Sequence, residues 1–265
     1  TTRLLGSDPR LVLHGGGNTS VKTRMRDLNG ELIDVLCVKG SGWDMGAIEP
    51  DGLPALRVEQ LQKLRQLGRL SDEDMINAQR GALLNSKSPN PSVETLLHAF
   101  LPHKFIDHTH STAVLAITNQ PNGEELVREV WGQTVGIVPY VMPGFDLAKR
   151  AAEIYESHPE VEGLILIKHG IFSLGKTAKE TYKRMIKLVT LAEKRLARGR
   201  RKPSTSIRLP VKLASVSEVA PILRGVLASK FANGDHQRWI LDYRTNMKIK
   251  NYINGSDLGS YSQRG

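Results

Sequence analysis

Cysteine is almost absent from this chain of 265 residues, which contains Cys37 alone. A single cysteine excludes an internal disulfide framework and any zinc finger built on cysteine thiolates. Long apolar runs are also missing, since no uninterrupted stretch approaches the ~18 residues needed to cross a bilayer. The first residues, Thr1-Thr-Arg-Leu-Leu-Gly, lack the apolar core of a secretory signal. We therefore expect no membrane segment and a reducing, cytoplasmic setting.

Aromatic residues are scarce at 5%, but 40% of residues are apolar and 24% are charged, which is typical of a globular protein. The net charge of +10 is concentrated between Lys179 and Lys202, where ten Lys/Arg stand against two acids. A basic patch can bind nucleic acid or an acidic membrane surface. The charged face carries no interleaved aromatic side chains of the kind that stack on bases. We therefore interpret it as a solvated helix face and expect no specific nucleic-acid partner.

Strand and helix patterns alternate along the chain. Runs rich in β-branched residues predict strands at 11–14, 21–23, 31–38, 104–110, 135–140, 164–169, 171–174, 238–243 and 247–253. Apolar periodicity predicts helices at 57–67, 93–101, 147–156 and 221–231, and a long helix that begins after Thr177. This order predicts an α/β or α+β fold with both faces of a sheet covered. The stretch Pro203-Ser-Thr-Ser predicts a linker, which separates a catalytic domain at 1–202 from an extension at 203–265.

Two histidines in Asp107-His-Thr-His110 carry the strongest chemical signal. On a strand, side chains alternate between faces, so His108 and His110 project to the same side. Two imidazoles at this spacing can share one metal ion. His169 ends a buried apolar run and is a third candidate ligand. Three histidines would leave a fourth position open for substrate, as in catalytic zinc sites.

Glu94 is the candidate acid–base group, although a glutamate in the first turn of a helix is also favoured by the helix dipole alone. Its catalytic role depends on its lying beside the metal. Partial burial there would raise the pKa of the carboxyl group, so that it could accept and return a proton near neutrality.

Glycine-rich polar turns offer possible anion sites. Gly15-Gly-Gly-Asn-Thr-Ser20 and Lys39-Gly-Ser-Gly42 allow backbone N–H groups to approach a ligand closely. Ser92, at the start of a predicted helix, is a third potential donor. Each turn could equally be an ordinary connection between strands. Neither matches the dinucleotide fingerprint or the P-loop.

Five motifs in this order resemble the class II aldolase/adducin family. They are Gly15-Gly-Gly-Asn-Thr-Ser20, Lys39-Gly-Ser-Gly42, Pro91-Ser-Val-Glu-Thr95, His108-Thr-His-Ser111 and Lys168-His-Gly170. The resemblance extends from about Leu5 to Ala197 and is strongest to the aldolase part of bifunctional rhamnulose-1-phosphate aldolase/short-chain dehydrogenase proteins. It implies a three-layer α/β/α domain with a largely antiparallel central sheet, assembled as a homotetramer.

The resemblance also implies roles for individual residues. His108, His110 and His169 match the family's zinc ligands, and Glu94 matches its acid–base carboxylate. Tyr140 resembles a tyrosine that donates a proton in a neighbouring subunit's site. The positions that hold the substrate phosphate are matched by four residues: Asn18, Ser41, Gly42 and Ser92. Val93 departs from the simple fuculose-phosphate aldolases, which have a second serine there.

The implied function is a zinc-dependent aldolase that cleaves a ketose-1-phosphate, similar to rhamnulose- or fuculose-1-phosphate, to dihydroxyacetone phosphate and lactaldehyde. A pentulose-phosphate epimerase or a dehydratase on the same metal site is an alternative. The epimerases typically place aspartate at the position of Glu94, which favours an aldolase. A non-catalytic adducin-like module is a further alternative, but such modules lose the histidine set that this sequence retains.

Overall fold

The computed structural model describes residues 1–198, 214–237 and 239–254. The chain divides into two compact units, Thr1–Gly199 and Arg200–Gly265. The predicted linker at Pro203 and the predicted domain boundary between 202 and 203 lie outside the described residues. In the ranges that are described, no helix is both long enough and apolar enough to cross a membrane.

The described part of the first unit alternates between helices and strands. The helices are α1 (Thr2–Gly6), α2 (Val58–Leu64), α3 (Asp72–Gly81), α4 (Thr95–Phe100), α5 (Thr112–Thr118), α6 (Gly123–Trp131), α7 (Phe145–Ser157) and α8 (Ala178–Arg198). The strands are β1 (Asn18–Arg26), β2 (Leu32–Val38), β3 (Ala55–Arg57), β4 (Phe105–Thr109), β5 (Val135–Val138), β6 (Gly163–Leu166) and β7 (Gly170–Gly175). Helix α8 begins after Thr177, as the sequence predicts. The Thr177 hydroxyl caps this helix by accepting a hydrogen bond from the Glu180 N–H at 3.1 Å.

The strands form one sheet in the order β3-β2-β1-β4-β7-β6-β5. Five of the six neighbouring pairs are antiparallel, while β5 and β6 are parallel because the chain between them crosses over through α7. The sheet is therefore mixed, and the expectation of a largely antiparallel sheet is corrected at the β5–β6 edge, which is parallel. The pairing places β4 at the centre of the sheet, between β1 and β7.

Apolar side chains cover both faces of the sheet. On one face, Leu164 and Leu166 of β6 join a buried cluster with residues of α2, α4 and α7. On the other, Ile165 packs in a second cluster with residues of α5, α6 and α8. This alternation produces the expected three-layer α/β/α arrangement, in which the sheet is protected from water on both sides.

The strand predicted at 11–14 is wrong. Leu11 and Val12 both donate their N–H groups to the Asp8 carbonyl, at 2.9 and 3.1 Å, which forms a turn. His14 then adopts a left-handed conformation with φ 53°. The glycines that follow are therefore reached from a turn, and β1 begins only at Asn18.

The described part of the second unit contains α9 (Val216–Leu227), the antiparallel pair β8 (Ser229–Lys230) and β9 (His236–Gln237), and α10 (Met247–Ile253). The predicted helix at 221–231 therefore begins earlier and ends earlier. The strand predicted at 247–253 is wrong, because the Asn246 side chain accepts the Ile249 N–H at 2.9 Å and caps a helix there.

Candidate metal centre

Strand β4 brings His108 and His110 to one side of the sheet, with ring centroids 4.8 Å apart. The His108 ring is fully buried and stacks on Phe172 of the neighbouring strand β7, at 4.1 Å between centroids. Its Nδ1 atom lies 3.0 Å from the carbonyl oxygen of Ile171. Because a carbonyl can only accept, Nδ1 carries the proton and Nε2 is the lone-pair atom of the neutral ring.

His169 lies in the tight turn between β6 and β7. Lys168 holds a left-handed conformation with φ 61°, and the His169 N–H donates to Leu166 at 3.1 Å. The His169 ring is thereby placed 5.2 Å from that of His108 and 5.1 Å from that of His110. Next to it, a Cβ atom on Gly170 would lie 2.5 Å from the Thr109 carbonyl oxygen. Glycine at this position therefore allows β7 to approach the histidines of β4.

Glu94 immediately precedes α4 and is 7% exposed. Its Oε2 lies 3.3 Å from His108 Nε2, and its Oε1 lies 3.1 Å from His169 Nε2. One potential ligand atom from each of Glu94, His108, His110 and His169 falls within 4.8 Å of the other three. The structure therefore brings together the three predicted metal ligands and the predicted acid–base residue.

The chemistry of this cluster fits a divalent cation. His108 Nε2, His110 Nε2 and Glu94 Oε1 are buried and have no hydrogen-bond partner among the residues that the structure describes. The lone pair of His108 Nε2 faces a carboxylate oxygen, which is unfavourable unless a cation or a proton lies between them. Burial lowers the pKa of His108 well below its usual value, which disfavours a proton on this atom. Imidazole nitrogens and a carboxylate are the ligands that zinc and similar metals bind.

The expected rise in the pKa of Glu94 is wrong for this arrangement. Burial alone would raise it, but His108, His169 and the amide of Asn18 outweigh burial and hold the pKa of the carboxyl group well below its usual range. Positive charge at these histidines therefore favours the ionised carboxylate, which is the form that accepts a proton.

Two of the predicted phosphate-binding residues, Asn18 and Ser92, lie beside Glu94. The Asn18 amide nitrogen donates to Glu94 Oε2 at 2.7 Å and to Ser92 Oγ at 3.0 Å. The loop after β2 is joined to the same segment, since Ser41 N–H donates to the Asn90 carbonyl at 2.7 Å. In that loop Gly42 has φ 78°, and a Cβ atom there would meet nothing within 4 Å in the described ranges. All four residues thus lie on β1 or on the two joined segments.

Tyr140 is placed apart from this cluster. It follows β5 at the edge of the sheet, 53% of its surface is exposed, and its hydroxyl donates to Met142 Sδ at 3.0 Å. Within the described chain it is therefore not brought together with Glu94.

His98 is a residue of the site that the sequence interpretation missed. It lies one turn after Glu94 on α4, is fully buried, and its ring joins Asn18 and Ser20. The spacing Glu94-Thr-Leu-Leu-His98 is the signal that could have revealed it, because residues four apart share one face of a helix.

Comparison with known proteins agrees with this fold. The family model described as class II aldolase and adducin N-terminal domain matches residues 1–196. A solved structure, the N-terminal class II aldolase domain of a conserved protein from Thermoplasma acidophilum, is 42% identical with a TM-score of 0.70. The match covers 74% of this chain and 90% of that one.

Two curated relatives are similar in sequence. An uncharacterized oxidoreductase, YuxG, of Bacillus subtilis is 32% identical over 100% of this chain, which spans only 38% of that protein. A methylthioribulose-1-phosphate dehydratase of Pectobacterium atrosepticum is 29% identical over 132 residues, or 43% of this chain and 64% of the relative. The chain thus spans less than two thirds of either relative's length.

Proposed function

Because the chain belongs to the class II aldolase and adducin family, we propose that it is a zinc-dependent aldolase acting on a ketose-1-phosphate. The products would be dihydroxyacetone phosphate and lactaldehyde from a rhamnulose- or fuculose-1-phosphate-like substrate. The observation that carries this proposal is the Glu94 carboxyl group within 3.3 Å of His108 Nε2 and 3.1 Å of His169 Nε2. Residues 1–202 would form the catalytic domain and 203–265 an extension, in a cytoplasmic enzyme.

His108, His110 and His169 would hold the metal, with zinc the ion that three imidazoles favour. When bound, the ion would polarise the substrate carbonyl and stabilise the negative charge that develops when the carbon–carbon bond breaks. The orphaned Nε2 atoms of His108 and His110 support this assignment.

Glu94 would move the proton at carbon. In the condensation direction its ionised carboxylate removes a proton from the hydroxymethyl carbon of dihydroxyacetone phosphate, and in cleavage the same group returns it. Burial of Glu94 excludes water, which would otherwise compete as a proton source.

The phosphate would bind where the loop after β2 meets the segment before α4. Ser41, Gly42 and Ser92 would supply hydroxyl and backbone donors, with Asn18 beside them. The joined backbones of Ser41 and Asn90, 2.7 Å apart, support this placement. The exposed Val93, in place of a second serine, leaves this pocket with one hydroxyl donor fewer.

Tyr140 would act in a neighbouring copy of the chain, on the oxygen that becomes the aldehyde. Its exposure and its distance from Glu94 along the sheet are consistent with a homotetramer that shares sites between subunits. Mixing inactive Glu94→Gln and Tyr140→Phe proteins should restore activity in mixed tetramers. Failure to do so would place Tyr140 outside the reaction.

A dehydratase on the same metal site is the second candidate, favoured by the similarity to a methylthioribulose-1-phosphate dehydratase. The two reactions differ in their products. We would incubate the zinc-loaded protein with rhamnulose-1-phosphate, fuculose-1-phosphate and methylthioribulose-1-phosphate and identify products by NMR. Dihydroxyacetone phosphate with lactaldehyde supports the aldolase. Loss of water without cleavage establishes the dehydratase, and a stereoisomer without loss of carbon establishes an epimerase.

A further inference from the structure

A line of hydrogen bonds runs behind Glu94, away from the metal centre. Ser20 Oγ lies 2.7 Å from His98 Nδ1, and His98 Nε2 lies 2.5 Å from Asn18 Oδ1. Asn18 Nδ2 then donates to Glu94 Oε2 at 2.7 Å. All four side chains are buried, so water does not compete with these bonds.

The orientation of the Asn18 amide decides which atom donates in each of these hydrogen bonds. The Asn18 NH2 group donates to both Glu94 Oε2 and Ser92 Oγ, so the amide turns its Oδ1 toward His98. Asn18 Oδ1 also only accepts, and His98 Nε2 must therefore carry a hydrogen. Burial lowers the pKa of His98 to about 3, so the ring is neutral and Nδ1 is a lone-pair atom. Ser20 then donates its hydroxyl hydrogen to Nδ1.

We infer that His98 is a positioning residue, held by Ser20 in its Nε2–H form, which fixes the Asn18 amide and through it the Glu94 carboxylate. The two carboxylate oxygens thereby acquire different tasks. Oε2 is held by Asn18, while Oε1, which accepts no hydrogen bond from the described part of the chain, is left to carry the proton. This inference rests on the proposed function for its effect on turnover, but not for the state of the ring.

The state of the ring is tested first, without activity. The imidazoles of the 265-residue, metal-free protein labelled with ¹⁵N are observed by NMR, and the His98 signals are assigned by their loss in His98→Gln. We expect a neutral ring with the hydrogen on Nε2, unchanged from pH 6 to 8. A hydrogen on Nδ1, or a charged ring, would overturn the inference even if the protein proves to be no aldolase.

The positioning role is tested with two amides of different length. Gln in place of His98 can offer an N–H close to the position of Nε2, whereas Asn offers its amide near Nδ1 and does not reach Asn18. We expect His98→Asn to lower kcat by ~10²-fold, the cost of about 1 Å of misplacement. His98→Gln should retain most of the parent's kcat.

Both variants should keep the parent's zinc content, because the histidine ligands do not change, and in His98→Asn the loss in kcat should exceed any rise in KM. His158→Gln, on the surface, is the matched control and should leave all three quantities unchanged. Equal losses in His98→Asn and His98→Gln, or losses confined to KM, would contradict a positioning role. If both His98 variants prove unstable, Ser20→Ala provides the same test: we expect a lower kcat, and an unchanged kcat would overturn the inference.

Discussion

Nε2 of His108 lies 3.3 Å from Oε2 of Glu94, although the Ile171 carbonyl leaves that nitrogen without a hydrogen to donate. Two electron-rich atoms in a buried site are stabilised by a shared cation. The pair therefore favours a cation bound at this site.

Replacing His108 should remove the metal. His108→Ala takes away a fully buried ligand, so tight zinc binding and cleavage should both be lost while circular dichroism shows the fold retained. Elemental analysis after dialysis measures the bound metal. His158→Ala, on the surface, should bind as the parent does. One equivalent of tightly bound zinc in His108→Ala would contradict the proposed ligand set.

Glu94→Gln should separate metal binding from proton transfer. The amide keeps the size of the side chain and its contact with Asn18, but it cannot accept a proton, so kcat should fall ~10²- to 10⁴-fold. Zinc should still be bound through the three histidines. The control is Glu153→Gln, which alters an exposed ion pair with Arg150 and should leave kcat unchanged. Normal turnover by Glu94→Gln would contradict the catalytic role and leave Glu94 with a structural role at the start of α4.

Metal should stabilise the folded protein. An ion that binds the native but not the unfolded chain adds about 2.7 kcal/mol to the free energy of unfolding at 100 times its Kd. Urea unfolding with and without zinc, and after treatment with a chelator, measures this difference. In His108→Ala the effect of zinc should disappear. An equal effect of zinc on the variant and the parent would show that the ion binds elsewhere.

Gly170→Ala should weaken both the fold and the metal site. Its new methyl group would lie 2.5 Å from the Thr109 carbonyl oxygen and 3.0 Å from His108 Cε1, which forces β7 away from β4. We expect a loss of about 1–3 kcal/mol in the free energy of unfolding, together with weaker zinc binding. Gly81→Ala is the matched control, because a methyl group there meets no described atom within 4 Å. Equal stability of the two variants would contradict the close approach.

Cys37 should react slowly with alkylating agents. Burial raises the pKa of its thiol, so at pH 8 the reactive thiolate is rarer than in free cysteine. Iodoacetamide should label Cys37 more slowly in the folded protein than in the chain unfolded in guanidinium. The labelling rate of the folded protein should rise with pH. Labelling as fast in the folded as in the unfolded chain would show an exposed, reactive thiol.

Local patterns were sufficient for the central part of the site. The His108-Thr-His110 spacing and the strand around it predicted two rings on one face, and the structure places them so. What the sequence could not show was which charges surround Glu94, because the two histidines that lower its pKa lie 14 and 75 residues away along the chain. His98 was missed for the same reason: its partners Asn18 and Ser20 lie on β1, far from it along the chain.

The differences between the predicted and the observed elements have physical causes. Met247-Lys-Ile-Lys alternates apolar and charged residues as a strand does, but the Asn246 cap begins a helix there. The parallel pair β5–β6 depends on a crossover through α7, which strand patterns do not encode. Side-chain periodicity identifies a strand, whereas the direction of its neighbour is decided by packing.

Glu94 and His98 reach the same asparagine because four residues return an α-helix to nearly its starting face, and the His98 N–H donates to the Glu94 carbonyl at 3.3 Å. Inserting or deleting a single residue between them would rotate one relative to the other by about 100°. Homologous chains that use this arrangement can therefore exchange the side chains between the two positions, but they cannot change the number of residues that separates them.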